Sequence, residues 1–233
     1  MMKQTKFILL CLFTLTGVFV AGLQFNQDSK LTSLEEENRL LAAENKQLKV
    51  ETSYSNSLIK TNMTGDYKYW AEIEQIAEKM VDDSEGRFKK TWAIYLANEA
   101  TQYEIDPFLI YELLKVETGH TFDPNLIGPE TIYGHAYGMA QFMKNTAPWI
   151  ADMAGLPYSE EMLFDPYYSM NLAIVYLDFL HHKYDDWDRA LTAYHRGMTG
   201  MENYVQRTGT AKSQYADIIQ TNAKKHHTVA MAE

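Results

Sequence analysis

The rhythm of apolar and polar positions changes along this chain, and each stretch predicts a different element. Phe7 to Leu23 is an unbroken apolar run behind Lys3 and Lys6. Such a run predicts a single membrane span over 7–23, with residues 1–6 as an inner tip and the rest outside. A cleaved signal peptide is the alternative, and Val20-Ala21-Gly22 is only a weak cleavage site. A retained anchor is the favoured reading, which puts the chain at the cell membrane, single-pass, with its main domain on the extracytoplasmic side. Over 24–50 a heptad takes over: Leu34, Leu41 and Leu48 recur every seven residues, with Leu31, Asn38 and Asn45 at the other core position. Asparagine there favours a two-stranded parallel coil, hence a homodimer through residues 31–51. A single solvated helix acting as a spacer is the other reading.

Residues 51–66 are rich in Ser, Thr and Asn without an apolar period and read as a linker. From 67 to 219 the period is helical and no run of alternating β-branched residues appears, so the domain is mainly α. Asp106-Pro107 opens one helix and Gly119 closes it. Thr146 opens another that ends before Gly155, and Asp165-Pro166 precedes a long one through Leu180. Asp188 starts a last short helix ending before Gly197, and Gly128 to Gly138 is an irregular connection with room for a small hairpin. Residues 220–233 are polar and predict a loose tail.

Composition narrows the function. A formal net charge of −10 argues against nucleic acid, because nothing here would neutralise phosphates. It leaves glycans open, since sugar clefts bind by stacking and hydrogen bonds. The single cysteine, Cys11, lies in the apolar run, so core burial alone must hold the domain together.

The helix from Pro107 to Thr118 carries the candidate chemistry. Ile110, Leu113 and Leu114 form its apolar stripe, and Glu117 continues that stripe. Glu112 points elsewhere, about 140° round the helix. Glu117 also lies in the last turn, where the helix dipole disfavours negative charge. Desolvation and dipole both raise its pKa. A glutamic acid that stays protonated near neutral pH is what glycosidic cleavage needs. On helix geometry alone, however, a partly exposed glutamate paired to a lysine is the simpler reading. His181-His182 and His226-His227 tempt a metal reading, but adjacent histidines on a helix point apart and no third ligand is evident. They read as solvated surface, with no metal.

Neighbouring motifs change the balance. Val116-Glu117-Thr118-Gly119 with Phe122 resembles the Glu-Ser motif of the soluble lytic transglycosylase family, relatives of goose-type lysozyme. Gly138-Met139-Ala140-Gln141-Phe142-Met143 with Thr146-Ala147 resembles its Gly-Leu-Met-Gln motif, and Leu163-Phe164-Asp165-Pro166 its next landmark. Ala190-Leu191-Thr192-Ala193-Tyr194-His195-Arg196-Gly197 is similar to its Ala-Tyr-Asn-x-Gly segment. The resemblance spans about Trp92 to Gly197. It implies a lysozyme-like domain preceded by the transmembrane anchor and short coiled coil, acting on peptidoglycan without a cofactor. Glu117 would be acid and then base, the substrate's N-acetyl group assisting and its 6-hydroxyl attacking to leave a 1,6-anhydro ring.

By the same resemblance, Gln141 would hydrogen-bond substrate, Met139 would line the groove and Tyr194 would sit close to Glu117. Thr118 replaces a serine and keeps its hydroxyl; His195 replaces asparagine and can titrate. Ala140 in place of methionine implies a wider groove, and Thr131 is the nearest hydroxyl to a family serine without a clear counterpart. Tyr133, Tyr137, Phe142, Trp149, Tyr167 and Tyr168 are candidate sugar platforms or simply packing. A muramidase using water, or a glycan-binding scaffold with a dead site, remains as an alternative.

Overall fold

The computed structural model describes residues 67–228 and, upstream, residues 30–32, 34, 36–39, 41 and 42. The upstream residues are helical, with Leu31, Leu34 and Leu41 exposed at 59%, 45% and 46%. The expected span at 7–23 and linker at 51–66 lie outside the described residues. Among the described residues, no helix is long and apolar enough to cross a membrane.

From Tyr67 onward the chain folds into helices α1 (Tyr67–Asp83), α2 (Lys90–Gln102) and α3 (Pro107–Glu117), followed by a loop with two short strands. These are β1 (Ala136–Tyr137) and β2 (Phe142–Met143), paired antiparallel with Ala136 opposite Met143. Then come α4 (Ala147–Met153), a 3-10 turn (Glu160–Phe164), α5 (Pro166–Tyr184), α6 (Trp187–Arg196), α7 (Met198–Thr208) and α8 (Gln214–Thr228). The ends of the central helices obey local rules. Asp106 accepts from the Phe108 amide and Asp165 from the Tyr168 amide, each followed by proline at the first helical position.

Helix α3 is the axis of the domain. Every residue from Phe108 to Leu114 is buried, including Glu112, because α1, α2 and α8 all pack against it. A helix buried all round cannot be recognised by a one-sided stripe. Phe88, Tyr111 and Phe122 close the core beside it, with ring centroids 5.0–5.4 Å apart. Helix α5 is the second support, burying ten residues against α2, α4, α6 and the 3-10 turn.

Two expectations change here. The helix at Trp187–Arg196 is capped by Asp186, whose carboxylate accepts from the Arg189 amide, and it is not the last. Residues 229–233 lie outside the described residues, but 220–228 are not a loose tail either: α8 continues through them to Thr228, burying Tyr215, Ala216, Ile219 and Ala223. Their spacing puts them on one helical face, and that face lies against α3 and α6.

Candidate active site

Glu117 is the last residue of α3, and the chain turns sharply after it. The Gly119 amide bonds to the Val116 carbonyl and the His120 amide to the Lys115 carbonyl, a Schellman closure that needs the left-handed φ of 57° at Gly119. Thr118 locks the turn: its hydroxyl donates to the Leu114 carbonyl and accepts from the Phe122 amide. Phe122 is thereby drawn into the core despite its own positive φ of 53°. Glu117 is left half-buried, with one side open.

Its partner is a residue from the far end of the chain. The Tyr215 hydroxyl donates to Glu117 Oε1 at 2.6 Å. Burial pushes the Glu117 carboxyl up to about 7, against the opposing pull of the Tyr215 bond. Tyr215 and Tyr194 are both held well above the usual phenol range, first by burial and then by the charge of Glu117, so both remain donors. His195 stacks flat on Tyr215, 4.6 Å between centroids and 7° between planes. Burial and then Arg196 hold His195 below its ordinary pKa.

A tight loop faces this helix end. A Cβ at Gly138 would lie 1.8 Å from the Leu163 carbonyl oxygen, and its φ is 74°, so only glycine fits. Ser169 of α5 receives the Ala140 amide at 3.0 Å, and the Tyr194 hydroxyl donates to the Ala140 carbonyl at 2.9 Å. The loop is thus tied to α5 and α6. Gln141, at a strained φ of 53°, folds back so that its amide nitrogen donates to the carbonyls of Gly138 (2.7 Å) and Leu126 (3.4 Å).

The arrangement is a near-neutral carboxyl, set at a helix end under two protonated tyrosines and beside a rigid backbone loop. It can hand over a proton and take one back. The family model for the Transglycosylase SLT domain matches residues 94–216, which include Glu117, the Gly138–Gln141 loop, Tyr194 and Tyr215. The chain belongs to the Transglycosylase SLT domain family. Among solved structures it is similar to an inactive glutamate-to-glutamine mutant of the lytic transglycosylase Slt from Pseudomonas aeruginosa, at 20% identity and a TM-score of 0.51. That likeness covers 63% of this chain and a quarter (25%) of the other, and it shows the fold. No curated protein matches the chain.

Within this SLT domain the expected site residues take different places. Glu117, Tyr194 and His195 gather at the end of α3. Gln141 belongs to the facing loop, but its amide nitrogen is committed to backbone. Thr118 is buried and fastens the helix end; its hydroxyl is taken up by backbone groups. Met139 and Ala140 have no exposed surface, so both pack the core where a groove wall, widened at Ala140, was expected. Thr131 is exposed in a turn of its own, donating to the Gly134 carbonyl. Of the aromatic candidates, Phe142 and Tyr168 are core, while Tyr133 and Trp149 are exposed.

Tyr215 is the residue that sequence reasoning missed. The apolar positions 215, 216, 219 and 223 offered a signal for a docked helix, but nothing local to Tyr215 points to a carboxylate. His226 was misjudged for the same reason. It is not solvated surface but 12% exposed, its ring stacked on Phe108 at 4.5 Å and its Nε2 2.8 Å from Glu112.

Asp83, Glu112 and His226 bring ligand-type atoms within 4.8 Å of one another, the one such metal-ligating group among the described residues. A cation already fills that space. Lys115 Nζ lies 2.6 Å from Asp83 and 3.3 Å from Glu112. Burial works against both ions, but their mutual bonds prevail, holding Asp83 below and Lys115 above the usual range. The cluster reads as an internal ion-pair network.

Proposed function

We propose that this protein is a peptidoglycan lytic transglycosylase, cleaving the MurNAc-β-1,4-GlcNAc bond with formation of 1,6-anhydroMurNAc. The single observation that carries the reading is Glu117: one carboxyl, raised to about 7, bonded to a neutral phenol. A carboxyl titrating there is protonated often enough to give a proton to the leaving glycosidic oxygen, and basic enough afterwards to take one. In this reading the N-acetyl carbonyl of MurNAc supports C1 as the bond breaks. The MurNAc 6-hydroxyl then attacks C1 while Glu117 removes its proton, and the ring closes without water. Family membership and the likeness to Slt, which its description calls a lytic transglycosylase, support the same chemistry.

Substrate contacts are assigned on the same footing. Tyr215 holds and tunes Glu117, Tyr194 fastens the facing loop through the Ala140 carbonyl, His195 borders the site beside Tyr215, and the Gly138–Gln141 backbone offers its rigid edge to the sugar. Tyr133 and Trp149 are exposed aromatic platforms of the type on which sugar rings stack. The apolar run 7–23 behind two lysines supports an anchor that keeps the domain outside the membrane for local wall remodelling. The leucine heptad supports a parallel homodimer through 31–51, because two copies tethered in one membrane are locally concentrated.

The test is product chemistry. Purified peptidoglycan digested with the protein and analysed by mass should yield muropeptides lighter by one water than their hydrolytic counterparts. Products carrying a reducing MurNAc end instead would make the enzyme a muramidase, and no products at all would leave a glycan-binding scaffold.

A further inference from the structure

Helix α8 lies antiparallel along α3, joined to it at both ends. At one end Tyr215 reaches Glu117. Further along, Asn222 Nδ2 donates to Glu112 Oε2 at 3.2 Å and His226 Nε2 meets Glu112 Oε1 at 2.8 Å. His227 Nε2 then meets Asp106 Oδ2 at 2.9 Å, at the cap of α3. The stretches Asp106 to Glu117 and Tyr215 to His227, whose ends pair, are nearly equal in length, about 16 and 18 Å at a helical rise of ~1.5 Å per residue. The two helices therefore run in register. Glu112 is 1% exposed and accepts from Asn222, and in the tautomer with its hydrogen on Nε2 the His226 ring donates to it as well.

We propose that His226 is a positioning residue for the active site: its bond to Glu112 latches α8 along α3 and thereby holds Tyr215 on Glu117. The inference rests on Glu117 being the catalytic acid. The groups facing the latch are Lys115 and Asp83, which pair with each other, and the Tyr111 hydroxyl, which donates to Asp83 at 2.6 Å. His226 also stacks on Phe108, and its own carbonyl accepts from Lys79 at 3.4 Å, so ring packing and hydrogen bond can be separated by substitution. Neither Asn222 nor His227 duplicates the latch. The Asn222 bond is longer and made by a neutral amide, and His227 is 57% exposed.

The experiment follows Glu117 itself, by carbon-13 NMR titration of its carboxyl in the full chain, with amide hydrogen exchange over 214–228. His226→Phe keeps a ring against Phe108 and deletes the bond to Glu112. Loosening α8 should lower the titration of Glu117 from about 7 toward ordinary carboxylates, because water replaces the Tyr215 ring, and should speed exchange along α8 at least tenfold. His226→Gln, which can still donate to Glu112, should stay close to the parent. Tyr215→Phe should move Glu117 the opposite way, upward, since burial stays and the donor goes. An unchanged titration and unchanged exchange in His226→Phe overturn the proposal. Should that variant not fold, His226→Leu, which also lacks a donor to Glu112, decides by the same readouts: a lowered titration with faster exchange supports the latch, and unchanged values overturn it. Titration requires no turnover, so loss of the latch and absence of lytic products are separate results.

Discussion

Glu112 and Glu117 stand on one helix, yet the protein surrounds them with opposite chemistry. Glu112, at the buried middle of α3, is met by the Lys115 ammonium, the Asn222 amide and the His226 ring. Glu117, at the helix end, meets a single neutral phenol and has one side toward solvent. The first arrangement compensates a charge where no substrate can reach it. The second withholds compensation where a proton has to be exchanged, and burial then raises the carboxyl to about 7. A buried acid becomes useful to chemistry when its partners are neutral and few. Both acids bond to α8, so a single helix serves stability at one point and reactivity at the other.

The contrast breaks most clearly at Glu117. Glu117→Gln keeps size and shape but has no proton to transfer, and should lower release of anhydro-ended muropeptides by at least about 100-fold, the low end for a lost general acid. Its circular dichroism should match the parent.

Glu112→Ala should act on the fold instead. It leaves the Asn222 amide and the His226 ring without their acceptor while Lys115 keeps Asp83, and leaving a buried polar group unsatisfied costs about 1–3 kcal/mol. The measurement is the urea midpoint, which should fall with the slope unchanged.

Next comes the dependence of stability on pH. Glu117 binds its proton more tightly folded than unfolded, so the folded state holds more protons between 4.5 and about 7. Stability from this group is complete below 4.5, falls as pH rises through that window and is flat above it. The loss amounts to at most about 3.5 kcal/mol, since one pKa unit is worth about 1.4 kcal/mol. Denaturation series from pH 4 to 8 should show that decline in the parent and lack it in Glu117→Gln.

The smallest expected effect is at Tyr215. Tyr215→Phe removes the bond that favours ionised Glu117, so the basic limb of the pH–rate profile should move upward, with maximal activity changed only a few-fold. A downward shift would mean that Tyr215 acts mainly by excluding water from Glu117.

Much of the helical framework was legible in advance. Asp106-Pro107, Asp165-Pro166 and Gly119 mark the helix ends because caps and left-handed closures act over a few residues. Glu117 was legible from the motifs around it and not from a stripe, since α3 is buried on every side from Phe108 to Leu114. Reading α8 as a loose tail failed because its face carries tyrosine, alanine and a single isoleucine, a weak apolar signal that becomes a core face only once α3 is opposite it. Met139 misled differently. Motif order placed it at the site, but side-chain direction in a loop held at positive φ by Gly138 and Gln141 has no period to read.

Composition and order alone thus determined a mostly helical domain, several of its helix ends and the carboxyl set at the end of α3. Tertiary structure alone decided what stands beside that acid. The partners that α8 brings to Glu117 and Glu112 lie 98, 110 and 114 residues away along the chain, and no pattern spanning a few turns can record a contact made only when the two ends of the domain meet.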